Sequence, residues 1–461
     1  MSEPNWANRT IWTGDNLPIM RGMNSESVDL IYLDPPFNSK ANYAAPIGSA
    51  AAGAEFKDTW TLSDIDEAWL YLLEGKRQQK ALWRVIQAAM TNSDKSYLIY
   101  MAVRLLEMKR LLKPTGSIYL HCDPTMSHYL KLLMDSVFGR ENFLTQIVWK
   151  RSGAHSDGKQ GRKQHGRTQD NILFYASGKD WTWNPQYTPY SPEYLKNYRY
   201  VDETSGRRYL VDNITGPGGA AKGNPSYEIF GVTRYWRYSK ERMNELIAQG
   251  RIVQSAPGRV PGYKRYLDEM PGVPLQDIWT DVKGLAAQSK ERTGYPTQKP
   301  IALLDRILKA SSNEGDIVFD PFCGCATTCV SAEHLARQWV GIDISPKAAD
   351  LVESRLKGNL KGDLGVVNAI VRRTDSPQRN DMGNLPPYNA PKLKNALYGE
   401  QGGDCNGCGT HFQKQHLTVD HIIAQSKGGT DHIENLQLLC AHCNSLKGDR
   451  GQEYLMAKLQ V

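Results

Sequence analysis

Asp34, Pro35, Pro36 and Phe37 stand directly after the run Val28–Leu33. A short, mostly apolar run bounded by polar residues reads as a buried strand ending in a turn. Two consecutive prolines fix φ, remove two backbone donors and stiffen that turn. Asp34 is then an acceptor on a rigid corner, beside a carbonyl and the flat face of Phe37. A planar substrate bearing an NH2 group suits this corner, with its amine protons on the oxygens and its ring on the phenyl face. Taken alone, an ordinary strand-to-loop turn fits equally well.

A second group lies nearly 300 residues later. Phe319-Asp320-Pro321-Phe322-Cys323-Gly324-Cys325-Ala326-Thr327-Thr328 reads as a strand, a glycine-containing loop and a helix start. Such a loop lets a ligand approach the backbone closely. Asp343 ends the following strand, 23 residues after Asp320. An acidic residue there suits ribose hydroxyls. Two carboxylates and no lysine after the glycine disfavour a pyrophosphate. They suit S-adenosylmethionine, which has no phosphate and carries an ammonium and a sulfonium.

Near the carboxyl end, Cys405-x-x-Cys408 and Cys440-x-x-Cys443 are separated by 31 residues. Paired thiolates at this spacing suit a closed, tetrahedral structural zinc site. Between and beside them lie Asp420-His421, Asn435 and Asn444.

The first two groups together resemble the DNA amino-methyltransferases. The DPPF motif precedes the cofactor motif with a long insertion between, as in the β class, whose insertion is the target-recognition domain. Tyr295-Pro296-Thr297-Gln298-Lys299-Pro300 matches the family segment leading into the helix beside the cofactor, and Gly14-Asp15 its acidic position near the cofactor adenine. The resemblance covers residues 9–357. It implies that Asp15, Thr297, Lys299, Asp320, Phe322, Gly324, Ala326, Thr327 and Asp343 bind S-adenosylmethionine. Ala326 is a departure, since the family usually has glycine there. The implied chemistry is direct methyl transfer to the exocyclic amine of a base flipped out of the duplex. Asp34 and the Pro35 carbonyl accept the amine hydrogens, and Phe37 stacks on the base. Asp at the first motif position resembles the adenine-N6 enzymes more than the cytosine-N4 ones.

The cysteine module resembles the HNH nucleases with their ββα-metal fold. By that match His421 is the general base, Asp420 and Asn444 hold a magnesium or manganese ion, and Asn435 braces the loop carrying His421. The alternative is a zinc-stapled module that only binds DNA. The two modules together look restriction–modification-like.

These residues need elements to hold them. Arg9 to Trp12 reads as a strand with Asp15 beyond its tip. Leu98, Met101, Leu105, Met108 and Leu112 recur at helical spacing, an amphipathic helix that stops before Lys113-Pro114-Thr115-Gly116. Strand 117–121 and helix 126–138 follow. This alternation predicts an α/β fold with a doubly wound, parallel sheet. The rhythm fails near residue 150 and resumes near 296. Residues 1–150 are thus expected to form the catalytic half, 151–295 the target-recognition region and 296–370 the cofactor half. Residues 371–395 read as a linker and 396–461 as the small C-terminal domain. The stretch Ala44 to Ala54, rich in small residues, reads as a loop over the site.

The net charge of +7 is concentrated. Residues 151–300 hold 23 Lys and Arg against 15 Asp and Glu, with 13 of the 23 tyrosines. Cations interleaved with aromatics suit phosphate contact and base stacking, and double-stranded DNA is the partner they imply. Neither an apolar signal core nor a run approaching a membrane span occurs, so a cytoplasmic location is expected. A homodimer stays open.

Overall fold

The computed structural model describes residues 3–39, 41–45, 49, 51–52, 55–58, 80–153, 163, 165–286, 288–359, 369–383, 385–427 and 429–459. Two compact units divide the chain. One is Pro185–Leu275, and the other comprises all residues before and after it.

The larger unit is built on a nine-stranded sheet. Its strands in chain order are β1 (Thr10–Thr13), β2 (Val28–Leu33), β3 (Leu112–Cys122), β4 (Phe143–Lys150), β5 (Gln169–Ala176), β6 (Ile278–Trp279), β7 (Ile317–Asp320), β8 (Gln338–Asp343) and β9 (Val371–Arg373). Across the sheet they run β6-β4-β5-β3-β2-β7-β8-β1-β9. All neighbours pair in parallel except β5, which is antiparallel to β3 and β4. The sheet is therefore mixed, which corrects the all-parallel expectation. β5 and β6 also come from the stretch whose rhythm appears lost. β6 has two residues, too few to show a period, and β5 is buried on both faces.

The central strands are buried, and Val28, Leu30, Ile31 and Leu33 of β2 are fully enclosed. The helix Asn92–Leu111 packs on this core and is capped by Thr91, whose side chain accepts from the Asp94 N–H. Leu98, Met101, Leu105, Met108 and Leu112 are all buried. So are Tyr97, Ile99, Ala102, Val103 and Arg104, which makes the middle of this helix a core helix and not a half-solvated one. Lys113 to Gly116 end the helix as expected, but they form an irregularity inside β3, opposite the Val28–Leu30 register shift.

Ala41–Ala44 and Glu55–Asp58 pair as an antiparallel ribbon, so Ala44, where the expected small-residue loop begins, lies in a strand. Residues 46–48, 50 and 53–54 of that loop lie outside the described ones.

In the C-terminal part, Leu417–His421 pairs antiparallel with Leu436–Cys440, and the helix Ala441–Lys447 follows at once. Leu397, Leu417, Leu436, Leu438, Leu439 and Leu455 pack with three of the cysteines into a core of its own.

The smaller unit has a four-stranded antiparallel sheet, a hairpin (Ser226–Ile229 with Val232–Tyr235) and the helix Lys240–Ala248. Trp236, Ile214 and Met243 centre its core. Its strands have two to six residues, which is why no periodicity is legible there. Among the described residues no helix is long and apolar enough to cross a membrane.

Candidate functional site

β2 and β7 are adjacent, and the chain leaves them toward opposite edges of the sheet. Such a switch point opens a crevice at the carboxyl ends of the strands. Asp34 follows β2, Asp320 ends β7, Asp343 ends β8 and Asp15 follows β1. These four strands are consecutive, so four carboxylates separated by up to 328 residues share one rim. A cavity of about 940 Å3 opens there. Asp34, Pro35, Pro36, Phe37, Asp15, Thr297, Lys299, Asp320, Phe322, Gly324, Thr327 and Asp343 line it.

Each carboxylate has a different setting. Asp15 caps the helix Asn16–Gly22 through the Leu17 N–H and pairs with Arg104 at 2.8 Å. Asp320 is buried and accepts from the Thr328 hydroxyl at 2.5 Å and the Phe322 N–H at 3.0 Å. Burial pushes its carboxyl up to about 7, against the pull of those two hydrogen bonds and with a further push from Asp34 and Asp343. Asp343 accepts from the N–H groups of Gly324 and Ser345, both at 2.8 Å, and burial again pushes it up. Asp34 receives the Lys299 ammonium on Oδ2 at 2.5 Å. Its Oδ1 is buried and accepts no hydrogen bond among the described residues.

The loop after β7 needs unusual backbone. Gly324 sits at φ +50°, and a Cβ there would meet the Tyr295 ring at 3.0 Å. Ala326 is buried behind the cavity in the left-handed conformation, φ 55° and ψ 39°, immediately before the helix Thr327–His334. That is the physical reason a glycine is favoured at this position. Arg355 ties the loop down by donating to the Cys325 carbonyl at 2.8 Å and the Thr327 hydroxyl at 2.9 Å.

Phe37 has a neighbour of its own. The His121 ring stacks on it with centroids 6.0 Å apart and an interplanar angle of 15°. Tyr32 and Asp170 engage the two nitrogens of that buried imidazole.

Sequence reasoning missed Arg104, Asn16, Tyr32, Tyr100 and Tyr295, all of which line the cavity. Arg104 left a signal. It interrupts the apolar run Tyr100 to Leu106, and a cation inside a core helix requires a partner.

In the C-terminal module the sulfurs of Cys405, Cys408, Cys440 and Cys443 lie within 4.8 Å of one another, close enough for one tetrahedral ion such as zinc. His421 is nearly buried, and its Nε2 meets Asp431 Oδ1 at 2.7 Å. Asp431 was not foreseen. Asn435 donates to the carbonyls of Ile423 and Thr430 and accepts from the Ile423 N–H, which ties both ends of the loop after His421. Asp420 Oδ2 accepts from Lys447 at 2.9 Å and Gln437 at 3.1 Å. Among the described residues, the cysteines form the single cluster of three or more His, Cys, Asp or Glu side chains able to hold a metal ion.

A family model described as "DNA methylase" matches residues 28–354. The chain belongs to that DNA methylase family. A second model, "HNH endonuclease", matches residues 405–450. The type II methyltransferase M.EcaI of Enterobacter cloacae is 31% identical over 76% of this chain and 69% of its own length. The StyLTI Mod subunit of a type III restriction–modification enzyme, from Salmonella typhimurium, is 28% identical over 68% of this chain. The chain covers 48% of that subunit. The DNA adenine methyltransferase YhdJ of Escherichia coli is 26% identical over 73% of this chain and 79% of its own length. This DNA methylase thus carries an HNH domain after its methylase part.

Proposed function

We propose that this DNA methylase transfers a methyl group from S-adenosylmethionine to the N6 amine of adenine in double-stranded DNA, and that its HNH domain hydrolyses DNA phosphodiesters. The observation that carries the first part is the buried, unpartnered Oδ1 of Asp34 beside Phe37, in the cavity that also holds Asp320, Gly324 and Asp343. An unsatisfied buried acceptor is costly, and an amine donor would satisfy it.

The residues fit the cofactor. The rim is rich in carboxylates, and among the described residues its two cations, Lys299 and Arg104, are already paired with Asp34 and Asp15. S-adenosylmethionine, when bound, supplies a methyl group on a positively charged sulfur. Asp343 would take its ribose hydroxyls and Asp15 would stand near its adenine. Phe322, Thr297 and Thr327 would line its bed, and Gly324 would let it lie against backbone. Asp34 Oδ1 and the Pro35 carbonyl accept the two amine hydrogens of the flipped base, with Pro36 keeping the corner rigid and Phe37 stacking on the ring. The target nitrogen is a weak nucleophile because its lone pair is delocalised. These hydrogen bonds favour its pyramidal form, and Asp34 takes the proton released as the N–CH3 bond forms. Alignment of the nitrogen supplies most of the acceleration. The adenine choice is supported by Asp at position 34 and by the name of the YhdJ relative.

The smaller unit would read the DNA. Its acids are largely consumed in ion pairs such as Arg207–Asp268, Arg251–Glu269 and Lys264–Asp202. Exposed Tyr200 stands beside Arg199, which donates to its hydroxyl at 3.0 Å, and Tyr194 and Tyr235 are exposed as well.

In the HNH domain the four thiolates would hold zinc. His421 would deprotonate water, with Asp431 on Nε2 leaving Nδ1 as the base nitrogen. Asp420, through Oδ1, and Asn444 would hold a magnesium or manganese ion whose other ligands are phosphate and water. Asn435 would steady the loop.

The test is labelled methyl transfer to unmethylated plasmid followed by nucleoside analysis. N6-methyladenine, lost in Asp34→Ala, is expected. N4-methylcytosine would overturn the base assignment, and label in neither base would overturn DNA as substrate. Nicking of the same plasmid with magnesium or manganese should vanish in His421→Ala. Absence of nicking by the wild type with either metal would reduce the HNH domain to a binding module.

A further inference from the structure

Lys299 lies in the segment that leads into the helix Ile301–Ser311, and its sequence position groups it with the cofactor half. Its ammonium points elsewhere. Nζ lies 2.5 Å from Asp34 Oδ2 and 3.3 Å from the Thr297 carbonyl, and 5.3 Å from the centre of the Phe37 ring. The side chain is 8% exposed and that of Asp34 18%. Thr297 holds a left-handed φ of 62°, a conformation that a threonine adopts only when its surroundings impose it. The Lys299 carbonyl accepts from the Thr327 hydroxyl at 3.3 Å, so the lysine backbone is anchored to the cofactor loop while its side chain reaches the other motif.

An aspartate side chain has a broad, roughly two-fold terminal torsion, so its two oxygens exchange places unless something distinguishes them. Here the distinction is complete. Oδ2 carries a charge-assisted bond, and Oδ1 is buried without a partner among the described residues. The carboxylate that must meet the amine therefore has one oxygen fixed and one presented. Two of the three ammonium protons are spent on Asp34 and Thr297, and the ring of Phe37 lies beside the rest. Little remains with which to bind a cofactor group.

We propose that Lys299 is a positioning residue for methyl transfer and not a cofactor ligand: by binding Oδ2 it aims Oδ1 of Asp34 at the target amine. This rests on the reading of the cavity given above. Lys299 also places its charge beside Asp34 on a rim shared with two further carboxylates, Asp320 and Asp343. Its own positive charge stays matched, so the pair adds no net charge where a cationic cofactor must bind.

The experiment uses the full chain with Lys299→Met and Lys299→Arg. It measures labelled methyl transfer to plasmid under saturating S-adenosylmethionine, and cofactor affinity by calorimetry. In Lys299→Met, kcat should fall by about 30-fold or more, as expected when a reacting group loses its alignment. Its cofactor Kd should stay within about threefold, and Lys299→Arg should recover at least about a tenth of the activity. A Kd weakened by about tenfold or more in the Met variant, with or without loss of kcat, overturns the proposal in favour of a cofactor or general structural role. An unchanged kcat overturns it as well. Failure of the wild type to methylate plasmid would instead count against the reading of the cavity, so the two failures are distinguishable.

Discussion

Asp320→Asn tests the electrostatics of the rim. Asp320 is 3% exposed, and burial lifts its carboxyl from 3.8 to about 7. Between those values the folded chain holds a proton that the unfolded chain has lost. Unfolding then releases a proton, so stability falls as pH rises through this window. The protonated carboxyl's contribution is fully present below about pH 4 and gone above about pH 7. A shift of roughly three units corresponds to about 4 kcal/mol at most, since each unit is worth about 1.4 kcal/mol. Asparagine is neutral at every pH and keeps an oxygen for the Phe322 N–H and a polar group for Thr328. The wild type and the variant should thus match near pH 4. The variant should then gain on the wild type up to about pH 7 and hold an advantage of about 2–4 kcal/mol above it. Urea unfolding of both proteins without cofactor, at half-unit steps from pH 4 to 8.5, gives the difference curve directly. Titrating groups away from the rim cancel in that difference. A flat curve would refute the reasoning, and so would a curve that favours the wild type at high pH. The same variant should bind S-adenosylmethionine more weakly at pH 8, because the rim then carries one carboxylate charge fewer beside a cationic cofactor.

Four further outcomes follow from other parts of the structure. Ala326→Gly removes a left-handed penalty of about 1–2 kcal/mol, but loses a buried methyl worth about 0.8 and adds unfolded-state freedom worth about 0.5–1. These terms nearly cancel, so the melting temperature should stay put, whereas Ala326→Val should lower it and weaken cofactor binding. Arg104→Met leaves Asp15 without its ion-pair partner at the rim and should raise the cofactor Kd by about tenfold, measured by calorimetry, with a smaller effect on kcat. Phe230 sits at φ 49° on the exposed tip of the hairpin ending at Ile229, so Phe230→Gly should stabilise the protein by about 1 kcal/mol in thermal unfolding. Cys440→Ser should abolish stoichiometric zinc by elemental analysis and open the HNH core to proteolysis, because the thiolate also caps the helix Ala441–Lys447.

The legibility of this fold depended on how local each signal was. β2 and its Pro-Pro corner, β7 and its glycine loop, and β8 ending at Asp343 are each encoded in under a dozen residues, and all emerged where expected. The antiparallel β5 did not, because strand direction is set by pairing and leaves no mark in an apolar run such as Asn171 to Ala176. The four cysteines were visible because paired thiolates at fixed spacing have few other uses.

Side-chain partnerships were the least legible feature, and they are what determine the chemistry. Asp34 and Lys299 are 265 residues apart, and Asp15 and Arg104 are 89 apart. In each case the cation comes from an element assigned to a different task, a cofactor segment in one and a core helix in the other. Sequence can show that a buried cation needs an anion, but four carboxylates share this rim and only the strand order β2-β7-β8-β1 decides which is within reach. The outcome is selective. Asp15 and Asp34 are held as ion pairs, whereas Asp320 and Asp343 rely on N–H and hydroxyl donors and are pushed toward neutrality by burial. Of these four chemically identical groups, Asp34 is the one that is both paired to a cation and left with a buried, unsatisfied oxygen. That combination, which no motif encodes, is what supports the proposal that Asp34 is the acceptor for an amine.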